Sequence, residues 1–181
     1  ELLLSTDLYF EEQSTLKSPQ DRLHDYSKKV KQSIEMVEAS IDMDAIADLC
    51  DDIYKYQRVA IFGLLKAGAV SLNLQGDLLM LGKQVYTNIS YQQQMEYIMS
   101  ANEDDLIIIF SYTGSYFDYQ EIRALKNKLK IPKIWFISSE KSEFPTFLDR
   151  IITFKSLQDQ NSHPYQLQFI ASLIAQEYSR K

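Results

Sequence analysis

Three hydroxyl side chains surround a single glycine in the middle of the chain, where Ser111, Thr113 and Ser115 flank Gly114. They come directly after residues 106–110, an unbroken apolar run rich in isoleucine that predicts a strand buried on both faces. Apolar residues at helical spacing follow the hydroxyls. A loop between a strand and a helix presents backbone N–H groups and the positive end of the helix dipole to an anion. The pattern therefore favours binding of phosphate, or of a small molecule that carries one.

Apolar periodicity predicts the elements that position this loop. Short apolar runs predict five strands, at residues 59–62, 84–87, 106–110, 134–137 and 151–154. Helical spacing predicts intervening helices at 64–81, from Ser90, at 121–130 and from Pro164. Two leading helices are expected within residues 18–56, the first opened by Ser18 and Pro19 and the second capped by Asp42. The alternation indicates an α/β fold: a three-layer, doubly wound, five-stranded parallel sheet in flavodoxin-like order.

In such sheets ligands bind beyond the carboxyl ends of the strands, so the loops after the first, third and fourth predicted strands form the candidate site. These loops contribute Gly63, Lys66 and Ser138, and His163 stands before the last helix. Each has a second interpretation: the hydroxyls as a plain helix cap, Lys66 as a solvated side chain, Ser138 as part of a turn, and His163 as a surface histidine.

Composition excludes several other functions. The 181 residues fit one domain, and a net charge of −6 with a pI near 5.0 argues against nucleic acid or anionic lipid as a partner of this chain. The single cysteine, Cys50, forms no internal disulfide, lies at helical spacing among apolar residues and favours a cytoplasmic setting. No apolar run is long enough for a membrane helix. One cysteine and two histidines predict no metal centre, and nothing indicates a cofactor.

The order of the three loops carries a family resemblance. Ile-Phe-Gly63, then Ser111-Tyr-Thr-Gly-Ser115, then Ile-Ser138-Ser resembles the sugar-isomerase (SIS) domain, and more closely the C-terminal ligand domain of RpiR-type bacterial transcription regulators. The second loop of that family typically reads Ser-Tyr-Ser-Gly-Glu-Thr, and residues 111–116 stand in its place.

Two loops depart from the family pattern. The first family loop resembles Gly-x-Gly-x-Ser-Gly, whereas here Leu65 replaces the second glycine and Ala67 replaces the serine. In the second loop Ser115 and Tyr116 replace Glu and Thr.

The resemblance implies a site for a phosphorylated sugar or amino sugar. The phosphate would lie over Gly114, with contacts from Ser111, Thr113, Ser115 and Tyr116, and with Ser138 or His163 toward the sugar. Gly63 and Lys66 would complete the site from the first loop, with Lys66 as a point charge.

The resemblance further implies an effector-sensing domain of a transcription regulator that acts as a homodimer. Residues 1–17 would be a tether from a missing helix-turn-helix domain, and the regulator would bind DNA only through that domain. Residues 18–181 would be the ligand domain, with leading helices at 18–56 and an α/β core at 57–181. No catalytic base is evident from the sequence, so an enzyme is not expected. Two alternatives stay open: a stand-alone sugar-phosphate isomerase, and a degenerate dimerisation module without ligand.

Overall fold

The computed structural model describes residues 17–118, 131–141, 143–159 and 162–181. Within these ranges it contains helices α1 (Pro19–Glu38), α2 (Met43–Lys55), α3 (Lys66–Met80), α4 (Tyr91–Ser100) and α5 (Tyr165–Tyr178). The strands are β1 (Arg58–Gly63), β2 (Asp105–Phe110), β3 (Lys133–Ser139) and β4 (Arg150–Phe154). The predicted helix at 121–130 and most of the predicted tether lie outside the described residues.

The strands form one parallel sheet in the order β1-β2-β3-β4. Ile61 pairs with Ile108, and Ile108 pairs with Trp135, so three consecutive strands run side by side in the same direction. Parallel strands place their carboxyl ends along one edge, which brings the loops after β1, β2 and β3 together. The predicted α/β class with a parallel sheet is confirmed.

The prediction of a strand at 84–87 is wrong, and the sheet has four strands within the described ranges rather than five. Only Tyr86 pairs there, through a single parallel bridge to Ala60. The chain then turns, because the Asn88 side chain accepts a hydrogen bond from Ser90 N at 2.8 Å and Ser90 caps α4. Too few residues remain between α3 and this turn to extend the pairing. Tyr86 pairs with the edge of β1 that faces away from β2, which is the position of the second strand in a flavodoxin-like order.

Two apolar clusters take alternate residues of the same strands and therefore lie on opposite faces of the sheet. One contains Ile61 and Ile108 and packs against α2, α3 and α5; the other contains Phe62 and Ile109 and packs against α4. Every residue of β2 is buried, as expected for a strand covered on both faces.

The predicted starts of α1 and α2 are confirmed. Ser18 Oγ accepts a hydrogen bond from Asp21 N, and Asp42 Oδ1 accepts from Asp44 N and Ala45 N. Helix α1 is buried at Val37 but exposes Leu23 and Tyr26, so only the later part of this helix packs on the core.

Cys50 is buried in α2, as predicted. Its thiol lies 3.4 Å from the carbonyl oxygen of Ile174 in α5, and burial raises its pKa to about 12. Across the described ranges, no helix combines the length and apolarity that crossing a membrane would need.

Candidate ligand-binding site

The loops after β2 and β3 are joined by main-chain hydrogen bonds at the carboxyl edge of the sheet. Ser111 N donates to Ile137 O at 3.0 Å, and Ser139 donates to Tyr112 O from its backbone N at 3.2 Å and from its hydroxyl at 2.6 Å. These bonds continue the pairing of β2 with β3 past the end of the strands. The loop of hydroxyls therefore has a fixed position on the sheet.

Residues 111–116 form a tight loop around Gly114, called the Gly114 loop below. Gly114 N donates to Ser111 O at 3.0 Å, and Tyr116 N donates to Ser111 Oγ at 3.2 Å. Gly114 has a φ of +72°, a backbone conformation that glycine adopts without the steric cost of a side chain. Ser111 thus holds both ends of the turn, and its own hydroxyl hydrogen is left for another acceptor.

The rim of this loop carries hydrogen-bond donors that no other described residue uses. The hydroxyls of Thr113 and Ser115 lie 2.7 Å apart, so only one of their two hydrogens is needed for the bond between them. The backbone N–H groups of both residues have no acceptor among the residues that the structure describes. Both side chains are half-buried, at the boundary with solvent. Several uncommitted donors on one short loop suit an anion.

A lysine that the sequence pattern does not single out lies directly over this loop. Lys141, in the segment after β3, donates from Nζ to Gly114 O at 3.0 Å, and a Cβ added to Gly114 would be only 2.6 Å from its Cδ. Its ammonium lies 4.0 Å from a carboxylate oxygen of Asp118. Ser138 lies beneath the same glycine and is fully buried, and its hydroxyl oxygen would be 3.1 Å from the added Cβ.

The first loop approaches from β1. Gly63 is required there because a Cβ would come within 2.7 Å of the backbone of Ala67 in α3. Lys66 is half-buried, and its ammonium donates to His163 O at 3.0 Å. The alternative interpretation of Lys66 as a solvated side chain is therefore wrong. This bond connects the first loop to the segment that precedes α5.

His163 is buried rather than at the surface, with 9% of its area exposed. Its ring stacks on that of Tyr112, with centroids 4.5 Å apart. Burial, and to a lesser extent the charge of Lys66, lowers the pKa of His163 to about 4, so the ring is neutral at physiological pH. Its Nδ1 and the Oε1 of Gln166 are buried without a hydrogen-bond partner within the described ranges. A neutral ring nitrogen in this position can donate to or accept from a polar ligand.

Tyr116 points its hydroxyl into the core, away from the rim of the loop. The hydroxyl donates to Gln94 Oε1 at 2.7 Å, and burial raises the pKa of Tyr116 well above its usual value. Gln94, fully buried in α4, also donates to Gly63 O at 2.8 Å. The run of three glutamines at 92–94 gives no periodic signal that would distinguish this residue in the sequence.

The predicted residues of the loops after β2 and β3 thus fall into two groups. Thr113, Gly114 and Ser115 form the rim of the loop with Ser111 behind them, whereas Tyr116 and Ser138 support it from within. No group of three or more histidine, cysteine, aspartate or glutamate side chains that could hold a metal occurs in the described parts of the chain.

No protein-family model matches the sequence, and no curated protein matches it. Solved structures do resemble this chain. The sugar-isomerase domain of an RpiR transcription factor from Sphaerobacter thermophilus is 14% identical, with a TM-score of 0.69 over 86% of this chain and 88% of that one. The chain has the fold of a sugar-isomerase domain. The resemblance drawn from the three loops is confirmed at the level of fold.

Two further solved structures share this SIS fold. The Vibrio vulnificus NanR protein, complexed with ManNAc-6P, is 11% identical with a TM-score of 0.71; 91% of this chain is covered, and the match spans 63% of the NanR chain. A Methanococcus jannaschii protein is 19% identical with a TM-score of 0.67, over 86% of this chain and 90% of that one. Its function as a 3-hexulose-6-phosphate isomerase was inferred from its structure. The SIS fold therefore occurs among these neighbours in a regulator and in an inferred isomerase.

Proposed function

We propose that this chain is the phosphosugar-sensing domain of a transcription regulator, and that its ligand is a phosphorylated sugar or amino sugar. The observation that carries the proposal is the loop at Gly114, whose rim offers hydroxyl and backbone donors without an acceptor among the described residues. A phosphate has enough acceptor oxygens to satisfy several of these donors together. Ser111, Thr113 and Ser115 would contact the phosphate, and His163 would face the sugar.

Two of the solved neighbours support the regulator role, and the charge of the chain leaves DNA binding to another domain. A net charge of −6 does not suit direct contact with DNA, so an additional basic domain would bind the operator. Two of the solved neighbours described above are an RpiR transcription factor and NanR, and the latter holds a phosphosugar. Ligand binding at the carboxyl edge of the sheet would change the affinity for DNA through the arrangement of subunits.

We also propose that the domain forms a homodimer. Helix α3 exposes a short row of two leucines seven residues apart, with exposed fractions of 43% at Leu72 and 57% at Leu79, and its N-cap residue Leu65 is 83% exposed. Residues seven apart lie on nearly the same face of a helix. A second copy of the chain would cover this row, and a two-fold dimer suits a symmetric operator.

A sugar-phosphate isomerase is the alternative function, and one observation favours it. The His163 ring is neutral at physiological pH and stacks on Tyr112 of the Gly114 loop, and its buried Nδ1, without a hydrogen-bond partner in the described ranges, is open to accept a proton from a sugar carbon. Turnover of a pentose or hexose phosphate by the purified protein would establish this function, and loss of that turnover in His163→Gln would assign the base.

Ligand binding is tested by thermal unfolding with pairs of sugars that differ only in the phosphate, beginning with ManNAc-6P and ManNAc and extending to other hexosamine, hexose and pentose phosphates. A ligand at 100 times its Kd stabilises the fold by about 2.7 kcal/mol. For a domain of this size that free energy corresponds to a rise of roughly 5–10 °C in Tm. Only the phosphorylated member of a pair is expected to give this rise.

The variant Thr113→Val/Ser115→Ala locates the site, because it removes two rim hydroxyls and leaves the bond from Tyr116 N to Ser111 Oγ in place. Its thermal shift should be lost. The control is Ser100→Ala, which removes an exposed hydroxyl at the end of α4. If no phosphorylated sugar in the panel raises the Tm at millimolar concentration, the ligand-free dimerisation module becomes the better description.

A further inference from the structure

Lys141 combines three properties that are rarely found together on a surface lysine. Its ammonium donates to the carbonyl of Gly114, its side chain covers that glycine, and only 27% of the side chain is exposed. The lysine reaches the Gly114 loop from the segment after β3, and thus crosses from one loop of the candidate site to another.

The ammonium of Lys141 is incompletely satisfied by these contacts. It has three N–H donors, and its single hydrogen bond in the described structure goes to a neutral carbonyl. The carboxylate of Asp118 is 4.0 Å away, and the Phe144 ring centroid is 5.7 Å away. A phosphate oxygen at hydrogen-bond distance would add the direct attraction of an opposite charge, which the neutral carbonyl of Gly114 does not offer and which the carboxylate of Asp118 offers only from 4.0 Å.

Within the parts of the chain that the structure describes, the other donors at this rim are neutral. Thr113 and Ser115 offer hydroxyls and backbone N–H groups, and the other lysine of the site, Lys66, is bonded to His163 O on the side of the first loop. The first loop also lacks side-chain donors at two positions, since Leu65 is exposed and apolar and Ala67 has no polar atom. A doubly charged phosphate needs a cation at this rim, and Lys141 is placed to supply it.

We propose that Lys141 is the residue that recognises the charge of the ligand. This inference rests on the proposed phosphosugar site and adds to it a specificity-determining contact. On binding, the Lys141 ammonium contacts a phosphate oxygen beside Gly114, which its flexible four-carbon stem allows with a change of torsion angles alone. The hydroxyls of Thr113 and Ser115 then orient the phosphate, and Lys141 discriminates the phosphorylated sugar from the free sugar.

The test is isothermal titration of the wild type and Lys141→Met with each phosphosugar that stabilises the wild type, starting with ManNAc-6P. Methionine keeps an unbranched side chain over Gly114 and removes the charge. Loss of one charge-assisted hydrogen bond should weaken binding by about 10- to 100-fold. The dependence of Kd on salt concentration should also become shallower, and Lys141→Arg should retain most of the affinity.

The matched control is Lys155→Met, because Lys155 is an exposed lysine just beyond β4, at the same edge of the sheet. Far-UV circular dichroism and the Tm of each unliganded variant establish that it is folded. Equal weakening in Lys141→Met and Lys155→Met would mean that net charge alone matters, and would overturn the inference. So would unchanged affinity in Lys141→Met, which would leave the phosphosugar site itself intact. Failure of the wild type to bind any phosphosugar would overturn both proposals.

Discussion

The hydroxyl of Tyr116 and the side-chain oxygen of Gln94 are hydrogen-bonded at 2.7 Å inside the core. The amide of the same glutamine donates to Gly63 O at 2.8 Å and to Asn88 O at 2.6 Å. One buried side chain of α4 therefore fixes the ends of β1 and β2 relative to each other. This glutamine supports the first and second loops of the candidate site from within the core, in addition to the pairing of β1 with β2.

Tyr116→Phe is expected to lower stability and to leave ligand affinity unchanged. The substitution leaves Gln94 Oε1 buried without a donor, which costs about 1–3 kcal/mol. Chemical denaturation measures this loss, and titration with ManNAc-6P or another stabilising phosphosugar measures affinity at a temperature where both proteins are folded. A large loss of affinity with normal stability would instead place the Tyr116 hydroxyl in contact with the ligand.

Gly114→Ala is expected to destabilise the protein for two separable reasons. Its positive φ costs an alanine about 1–2 kcal/mol, and the new Cβ would meet Lys141 Cδ at 2.6 Å. Gly82→Ala, at a φ of +85° with no atom within 4 Å of the new Cβ, measures the backbone part alone. Gly76→Ala in α3, also in open space, should be neutral or stabilising.

The part that Lys141 contributes is isolated by a double variant. Gly114→Ala/Lys141→Ala should lose less stability, relative to Lys141→Ala, than Gly114→Ala loses relative to the wild type, and any loss beyond that of Gly82→Ala measures the contact with Ser138 Oγ at 3.1 Å. Equal losses in Gly114→Ala and Gly82→Ala without the second substitution would show that Lys141 moves aside at no cost.

Acid should destabilise the protein through His163. Above pH 6.5 the histidine is neutral in the folded and unfolded states; between pH 6.5 and about 4 only the unfolded state takes up the proton, so the free energy of unfolding falls as the pH falls. By pH 5 this loss amounts to about 2 kcal/mol. His163→Gln should lack it.

Urea denaturation at pH 7.5 and pH 5.0 measures this difference, since any pH-independent effect of the substitution cancels. His24→Gln, at an exposed position on α1, controls for the removal of an imidazole. Parallel behaviour of the wild type and His163→Gln would contradict the burial of a neutral ring at this position.

A charge on the exposed face of α3 should dissociate the proposed dimer. Leu72→Glu/Leu79→Glu places two carboxylates on the row of leucines, where a second copy would have to bury them. Light scattering at tens of micromolar should change from dimer to monomer. Leu23→Glu, at an equally apolar and exposed position on α1, serves as the control. If only Leu23→Glu dissociates the dimer, the interface lies on α1 and not on α3.

The sequence predicted those parts of the fold that depend on local patterns. Residues 106–110 are apolar without interruption because β2 is covered on both faces, and Ser18 and Asp42 cap helices through bonds within three residues. The strand at 84–87 was a different case. Its apolar residues are suitable for a sheet edge, but the turn at Asn88 limits the pairing to Tyr86, and composition does not reveal where pairing stops.

The candidate site was predictable only where its residues are consecutive. The hydroxyls at 111–115 were visible as a motif, whereas Lys141 and Gln94 reach the same place from distant parts of the chain. The direction of a side chain was equally hidden: Tyr116 continues the motif in sequence but enters the core, because the turn at Gly114 rotates it away from the rim. Contacts over such separations follow from the topology of the sheet.

The low reactivity of Cys50 makes the protein suitable for labelling at an introduced cysteine. Its thiol is the only one in the chain, is fully covered by α5, and has a pKa of about 12, so the reactive thiolate scarcely forms at neutral pH. A cysteine introduced on the rim of the Gly114 loop would therefore be the only thiol that reacts with a maleimide fluorophore. In the unaltered protein, the slow rate at which Cys50 reacts would measure how often α2 separates from α5 and opens the core.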